Sequence, residues 1–177
     1  MCRPRPLRLV LICASLALAA CTPELDWREL SPPEGRFSVL LPCKPQRESR
    51  TLDSAAGAVM MTMYACSLKT GTMGAAYTDA PMAAPAAEPT RAQMDAARDA
   101  LLRNIGAGTR VEEEIGIGGM PGRQVYALGR AGTQELVLKA RLVVAGGRLY
   151  QIAYVGARDG LAMADVDLFL TSFKLLR

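Results

Sequence analysis

The feature that most constrains the fold is the stretch Glu135–Gly156, in which two apolar runs flank the pair Gly146-Gly147. Both runs contain the apolar, β-branched and aromatic residues that strands favour. A Gly-Gly pair supplies the positive φ angles that a two-residue hairpin turn requires. We therefore expect an antiparallel hairpin at the centre of the fold.

The hairpin register assigns its side chains to two faces of a sheet. One face carries the pairs Val144–Leu149, Ala140–Ala153 and Leu138–Val155. Because this face is almost wholly apolar, we expect it to pack on helices. The other face carries the pairs Val143–Tyr150, Arg141–Ile152 and Lys139–Tyr154. We expect that second face to be half-exposed, with Arg and Lys stems lying across Tyr and Ile.

Residues 1–20 have the pattern of a secretory signal peptide. Three arginines precede an apolar run, Leu9–Leu18, that is shorter than the about 20 residues a permanent membrane helix needs. Leu18-Ala19-Ala20-Cys21 resembles the lipobox of bacterial lipoproteins, in which the cysteine is acylated and becomes the first residue of the mature chain. The alternative is an ordinary signal peptide with a chance cysteine at its boundary. Thr22 stands where an aspartate favours inner-membrane retention, so the resemblance implies the outer membrane.

The basicity of the chain belongs to this targeting segment. The whole sequence has 21 Lys and Arg against 17 Asp and Glu. Residues 1–20 contribute three arginines and no acid, which leaves 18 basic against 17 acidic residues. Without a net positive field, nucleic-acid binding has no electrostatic basis.

Cysteine usage agrees with export. Cys2 and Cys13 belong to the signal peptide, and Cys21 is the expected site of acylation. Cys43 and Cys66 remain, and an even pair in an oxidising compartment predicts a disulfide between them. Two free, buried thiols are the alternative.

The mature chain predicts one domain, residues 34–177, joined to the membrane by a tether, residues 21–33. We expect Trp27 in the tether to dock on the fold, with a place at the lipid interface as the alternative. Strands are predicted for Phe37–Leu41, Val59–Leu68, Gly71–Asp79, Val111–Gly118 and Arg123–Leu128, and a polar strand or loop for Gln46–Ala56.

Two helices are predicted between and after these strands. The first begins with a capping box formed by Thr90 and Gln93 and ends at Gly106. The second covers Leu161–Phe173. It is expected to bury Val166, Phe169, Leu170 and Phe173. Between the helices, Met120-Pro121-Gly122-Arg123 has the Pro and Gly positions of a type II turn.

This order of elements predicts an α+β fold with a single, mostly antiparallel sheet and two main helices packed on it. The segments EGRFSVLLP, RLYQIAYVG and DLFLTSFKL, with the long helix and the PGR turn, resemble bacterial lipoproteins with a PsbP-like α/β/α domain. The resemblance implies an accessory or assembly role. It carries over no functional residue, because the chain shares no functional motif with that family.

The residues offer little catalytic chemistry. The chain has no histidine, which removes Ser-His-Asp and Cys-His catalysis and the commonest zinc ligand. The run Gly116–Gly122 lacks the spacing of a phosphate-binding loop and predicts a hairpin turn. Glu112, Glu113 and Glu114 predict a solvated edge strand whose charges oppose edge-to-edge association, with calcium binding or acid–base catalysis as alternatives.

Three closely spaced methionines, Met60, Met61 and Met63, are soft ligands that suit Cu(I). Met73 or Met82 would have to complete such a site. Methionine is also a flexible core residue, and core packing is our expectation.

We therefore expect a membrane-anchored periplasmic lipoprotein of the outer membrane that acts as a non-enzymatic binding or assembly accessory module. Its partners would be the lipid bilayer, through acylated Cys21, and a protein of the cell envelope, with no cofactor, metal or catalytic residue. A small-ligand or metal-binding lipoprotein is the alternative, and a pocket lined by Tyr64, Tyr77 or Tyr126 would favour it. An enzyme comes third, and a cleft with strongly perturbed carboxylates would favour that class.

Overall fold

The computed structural model describes residues 25–54, 57–79 and 91–176. Within them, ten strands and two helices follow one another along the chain. They are β1 (Arg28–Leu30), β2 (Phe37–Leu41), β3 (Gln46–Ser54), β4 (Gly57–Leu68), β5 (Gly71–Thr78), α1 (Arg91–Asn104), β6 (Thr109–Ile117), β7 (Met120–Ala131), β8 (Gln134–Ala145), β9 (Arg148–Ala157), α2 (Met163–Ser172) and β10 (Lys174–Leu175). Neither described helix is both long and apolar enough to span a bilayer.

Seven strands form a large antiparallel sheet in the order β3-β4-β5-β9-β8-β7-β6. The β8–β9 hairpin lies inside this sheet, and its predicted register is confirmed: Val144 pairs with Leu149 and Lys139 pairs with Tyr154. Its two-residue turn is Gly146-Gly147, with φ angles of 54° and 75°.

A second sheet corrects the prediction of a single one. β2 lies between β1 and β10 and pairs antiparallel with both. The predicted tether, residues 21–33, therefore contributes a strand to the fold. The sequence Arg-Glu-Leu of β1 has no strand signal of its own, and only its pairing with β2 creates the strand. Trp27 packs against the core as expected.

The small sheet and α2 together cover one face of the large sheet. The residues that β2 contributes are Phe37, Val39 and Leu41, and those of the α2 segment are Val166, Phe169, Leu170 and Phe173. Opposite them, the large sheet contributes Tyr64, Cys66, Met73, Ala75, Tyr77, Val137, Val143, Tyr150, Ile152 and Tyr154. The predicted burial of Phe169 and Phe173 is confirmed.

This burial corrects the expectation of a half-exposed hairpin face. Ile152 and Tyr154 are completely buried, because α2 and β2 lie over them. The two cations on this face extend to α2 instead of to bulk water. Lys139 forms an ion pair with Asp167, and Arg141 Nη1 donates to the carbonyl oxygen of Leu170 at 3.2 Å. Burial lowers the pKa of the Arg141 guanidinium.

α1 covers the opposite face of the large sheet, which confirms that the apolar hairpin face packs on a helix. The buried residues of this layer are Met94, Leu102, Ile105, Val125, Ala127, Leu138, Ala140, Leu142 and Leu149. The capping-box residue Thr90 lies outside the described residues. The two helices thus lie on opposite faces of the sheet, as in an α/β/α sandwich.

The chain leaves α1 through a close contact with β7. The N–H of Arg130 donates to the carbonyl oxygen of Ile105 at 2.8 Å. A Cβ added at Gly129 would lie 2.0 Å from the same oxygen, so the helix end needs a residue without a side chain there.

The predicted turn at Met120-Pro121-Gly122-Arg123 is wrong. The turn between β6 and β7 is Gly118-Gly119, with φ angles of 58° and 81°, and Pro121 pairs with Gly116 inside the ladder. Two consecutive glycines satisfy a tight hairpin turn better than the Pro-Gly pair does. Pro121 is tolerated there because the pairing of β7 with β8 begins only at Gly122.

Candidate binding groove

The loops of the large sheet lie at two opposite ends, which we name the tether end and the groove end. The tether end contains the β4–β5 and β7–β8 turns, the α1–β6 and β9–α2 connections and the start of β1. The N–H of Ala157 donates to the carbonyl oxygen of Thr70 at 2.7 Å and joins two of these loops. The groove end contains the β6–β7 and β8–β9 turns and the start of α1.

An open groove lies at the groove end, between the first turns of α1 and the ends of β6, β7 and β8. Its volume is about 410 Å³, and its lining residues are Arg91, Met94, Glu114, Pro121, Gly122, Arg123 and Val144. The floor is apolar. The rim is charged, because Arg91 and Glu114 form an ion pair there and remain 70% and 73% exposed.

A network of ion pairs supports one wall of the groove. Arg123 is only 11% exposed and pairs with Asp95 and, at 3.6 Å, with Glu112. Arg98 joins the same acids, with Nη1 at 3.1 Å from Asp95 Oδ1 and 3.2 Å from Glu112 Oε2. The hydrogen bond from Arg123 holds the pKa of Asp95 below its ordinary value. Asp95 is therefore ionised near neutral pH and does not serve as a general acid there.

The glutamates of β6 take the places that strand alternation predicts. β6 is an edge strand of the large sheet, and Glu112 and Glu114 lie on the α1 face, with Glu113 opposite. The prediction of a purely solvated row needs correction at Glu112. That side chain is half-buried because Arg98, Arg110 and Arg123 surround its carboxylate.

Tyr64 and Tyr77 belong to the core and do not line the groove. Their rings pack edge-on against Phe37 at centroid distances of 6.3 and 6.2 Å. Tyr64 Oη donates to Glu34 Oε1 at 2.7 Å. Burial, with this hydrogen bond as the next contribution, raises the pKa of the Tyr64 phenol. Tyr126 lies apart from them on β7 and packs partly buried against the same core.

The predicted disulfide joins Cys43 to Cys66. Their Cα atoms are 5.9 Å apart, within the range that a disulfide bridges. The bond attaches the segment after β2 to β4 at the tether end. Cys21, the predicted site of acylation, lies outside the described residues.

The methionines do not converge as a soft metal site would require. Met73 pairs directly with Cys66 and shares its face of the sheet, whereas Met61 and Met63 point to the other face. Met82 lies outside the described residues. Among the described residues, no three His, Cys, Asp or Glu side chains are grouped as metal ligands.

Sequence reasoning missed the groove. In the structure Arg98 and Asp95 of α1 face β6 and β7, where Arg98 pairs with Glu112 and Asp95 pairs with Arg123. The sequence does contain one signal for this contact, which is complementary charge. Glu112 and Glu114 share one face of β6, and α1 carries arginines and aspartates at helical spacing.

No family model matches the sequence, and no curated protein sequence matches it. Among solved structures, the chain is similar to cyanobacterial PsbP (CyanoP) from Synechocystis sp. PCC 6803, with a TM-score of 0.53 and 13% identity over 90% of this chain and 98% of that one. A protein of unknown function from Pseudomonas aeruginosa matches with a TM-score of 0.39 and 9% identity, over 80% of this chain and 90% of that one. At these identities a likeness concerns the fold alone, and only the first is close enough to be informative. The domain therefore has a PsbP-like α+β fold, with mostly antiparallel strands and a helix on each face.

Proposed function

We propose that the protein is an outer-membrane lipoprotein, anchored through acylated Cys21, whose periplasmic domain is a non-enzymatic module that binds a protein partner of the cell envelope. The open groove at the groove end is the observation that carries the binding role. Its apolar floor and exposed charged rim are the composition that protein interfaces favour.

The start of the fold supports the anchored arrangement. The N–H of Asp26 donates to the carbonyl oxygen of Pro42 at 2.9 Å, which fixes the chain just before β1. Fully extended, the segment from Cys21 to Asp26 reaches roughly 18 Å. An anchor at Cys21 therefore holds the domain next to the bilayer.

The groove itself supports recognition of a protein segment. Met94, Pro121 and Val144 offer an apolar floor for a partner side chain, and the groove is partly open to solvent. Arg91 and Glu114 remain exposed enough to exchange their mutual ion pair for contacts with a partner's charges. Charges at such a rim contribute more to specificity than to affinity.

A small-ligand lipoprotein is the second candidate, and one observation favours it. The groove volume of about 410 Å³ falls within the range of small-molecule sites, about 300–1,000 Å³. Native mass spectrometry of the protein extracted from membranes tests this reading. A retained small molecule that Val144→Trp displaces would support a ligand site over a protein interface.

Site-specific photo-crosslinking in intact cells tests the protein partner. A photoreactive residue at Val144, which lines the groove, should yield a discrete crosslinked product. The same residue at Leu168, an exposed position on α2 outside the groove, serves as the matched control. Identical products from both positions, or none from Val144, would contradict the proposed interface.

Fractionation tests the anchor separately. Cys21→Ala should release the protein from the membrane fraction, whereas Cys13→Ala, which changes another cysteine of the targeting segment, should not. Unchanged membrane association of Cys21→Ala, with no acylated N-terminus in the wild-type mass spectrum, would refute anchoring.

A further inference from the structure

The outer side of β6 is a free edge of the large sheet. β6 stands last in the strand order and, among the described strands, pairs only with β7. Ile117 and Met120 flank the two-residue turn and form a hydrogen-bonded pair, so alternation along the ladder directs the N–H and C=O groups of every second residue away from β7. These outward-facing residues are Arg110, Glu112, Glu114 and Gly116. Such an unpaired row of backbone groups is a template for another strand.

The α2 face of the sheet is open beside this edge. α2 packs against β2, β8 and β9, and Val111 on β6 is 65% exposed. Its ladder partner Tyr126 packs partly buried against the core, so Val111 stands at the margin of an apolar surface. Glu113 is next on the same face, is exposed and forms no ion pair with another described residue. An apolar and an acidic side chain are therefore both available beside the free backbone groups.

The α1 face of the same edge leads directly into the groove. Glu114 belongs both to β6 and to the groove rim. Pro121 and Gly122, which also line the groove, are the ladder partners of Gly116 and Ile115. A strand added to β6 therefore runs beside the groove, and its side chains on the α1 face lie next to the groove floor.

The charges of β6 favour a partner of opposite charge over a second copy of the chain. If two β6 edges paired antiparallel over their full length, Glu113 would face Glu113 and Glu112 would face Glu114. Like charges directly opposite each other destabilise such a pairing. A basic residue opposite Glu113 stabilises it instead, and Val111 and Ile115 on either side of Glu113 fit apolar residues. The edge thus matches a strand that presents an apolar, a basic and an apolar side chain on one face.

We propose that β6 binds an extended segment of the partner protein as an eighth strand of the large sheet, with a basic side chain against Glu113 and apolar side chains against Val111 and Ile115. This inference rests on the proposed function and specifies the chemistry of the partner. Main-chain hydrogen bonds to the outward-facing groups of β6 supply affinity, and the alternating side chains supply specificity.

Amide hydrogen exchange tests whether the edge is free. The full chain of the Cys21→Ala variant, as secreted by cells, serves as the sample. The amides of Glu112 and Glu114 should exchange rapidly, whereas those of Glu113 and Ile115, which bond to β7, should be protected. Equal protection of all four in a dilute monomer would overturn the proposal, because another segment of the same chain would then occupy the edge. Protection that grows with protein concentration would overturn it in favour of a second copy.

A peptide probe tests the chemistry of the partner strand. The capped peptide Thr-Val-Thr-Lys-Thr-Val-Thr places one Lys between two Val residues on one face, and its counterpart replaces Lys with Glu. The Lys peptide should protect the amides of Glu112 and Glu114 at lower concentration than the Glu peptide. Glu113→Lys should reverse this preference, with a change of roughly five-fold for each peptide. Protection by neither peptide, or an unchanged preference in Glu113→Lys, would refute the proposed strand chemistry.

Two substitutions at Glu114 test whether the backbone takes part. Both Glu114→Ala and Glu114→Pro remove the rim ion pair with Arg91, but only Pro also removes an outward-facing N–H group. Binding of the Lys peptide should therefore be about ten-fold weaker in Glu114→Pro than in Glu114→Ala. Equal binding by the two variants would exclude strand addition.

Photo-crosslinking in cells separates this inference from the proposed function on which it rests. A photoreactive residue at Val111 should give a product of the same mass as the one at Val144, and Glu114→Pro, but not Glu114→Ala, should abolish the Val111 product. A product from Val144 alone would refute strand addition and leave the groove interface. A product from Val111 alone that Glu114→Pro abolishes would refute the groove interface and support strand addition. No product from either position would refute both.

Discussion

The two faces of the large sheet pack against different kinds of side chain. The α2 face is aromatic, with Phe37, Tyr150 and Phe173 in mutual contact at centroid distances of 5.5–6.1 Å. Two elements, the small sheet and α2, together cover this face. The α1 face is aliphatic and is covered by one helix, whose first turns border the groove.

Under the binding role proposed for the groove, this difference assigns stability to the α2 face and recognition to the α1 face. Large rings bury the most area per residue and pack densely, so the α2 face leaves little room for a ligand. The α1 face ends in a groove whose wall consists of ion pairs, which contribute modestly to stability but determine charge complementarity. We expect core substitutions on the α2 face to reduce stability most, and substitutions near the groove to affect binding.

The largest effect is expected for Phe173→Ala on the α2 face. The side chain is only 6% exposed and contacts Phe37 and Tyr150. Its truncation should lower the free energy of unfolding by about 3–5 kcal/mol, a large part of the stability of an ordinary domain. Thermal unfolding followed by circular dichroism measures it, with exposed Leu168→Ala as control. A midpoint within a degree or two of the wild type would contradict this view of the core.

Removal of the disulfide is the next largest perturbation of the same face. Cys43 and Cys66 are 23 residues apart, and the chain-entropy model assigns such a bond about 3 kcal/mol. Denaturant titration of the Cys43→Ala, Cys66→Ala double variant should show this loss. Reductant should then destabilise the wild type but not the double variant, and equal sensitivity of both would rule the bond out as the source.

A smaller effect is expected where α1 meets the sheet. Gly129→Ala places a Cβ against the carbonyl oxygen of Ile105 and should cost about 1–3 kcal/mol, the usual range for overpacking. Gly116→Ala on β6 is the matched control, because a Cβ there meets open space. If both substitutions shift the unfolding midpoint equally, the contact with the carbonyl oxygen of Ile105 is not the reason why position 129 requires glycine.

The smallest predicted effect is a loss of stability at alkaline pH, which comes from the tyrosines of the α2 face. Burial raises the pKa values of Tyr64, Tyr150 and Tyr154 above the ordinary value of 10.0. Their neutral forms are favoured in the fold, so stability is complete below about pH 10 and is lost as the pH rises further. Unfolding midpoints measured across this range should fall less steeply for Tyr64→Phe. If stability does not change above pH 10, the raised pKa values of these buried tyrosines are contradicted.

The sequence was most informative where local chemistry decides the structure. Gly146-Gly147 determined a register that the structure confirms, and the spacing of Val166, Phe169 and Leu170 located α2. The Gly118-Gly119 turn was missed because the Pro-Gly pair that follows is also a turn signal, and only the ladder shows which one the chain uses.

What sequence reasoning missed depends on contacts between distant segments. Lys139 and Arg141 predicted a half-exposed face. Their charged groups instead contact the Asp167 carboxylate and the Leu170 carbonyl oxygen of α2, a separate element further along the chain. The groove likewise joins α1 to β6, β7 and β8. Neither arrangement has a local signal, because each depends on which face a helix covers.

The position of β2 has a consequence for the order in which the protein can assemble. Its partners are β1, which immediately precedes it, and β10, which lies near the last described residue. The aromatic core beneath β2 also requires Phe169 in α2 and Phe173 just after it, which are distant from β2 in sequence. Closure of this core is therefore a late, non-local event in folding. A chain still emerging from a ribosome cannot complete this core until α2 and β10 have also emerged, so β2 waits without its distant partners while the large sheet is synthesised.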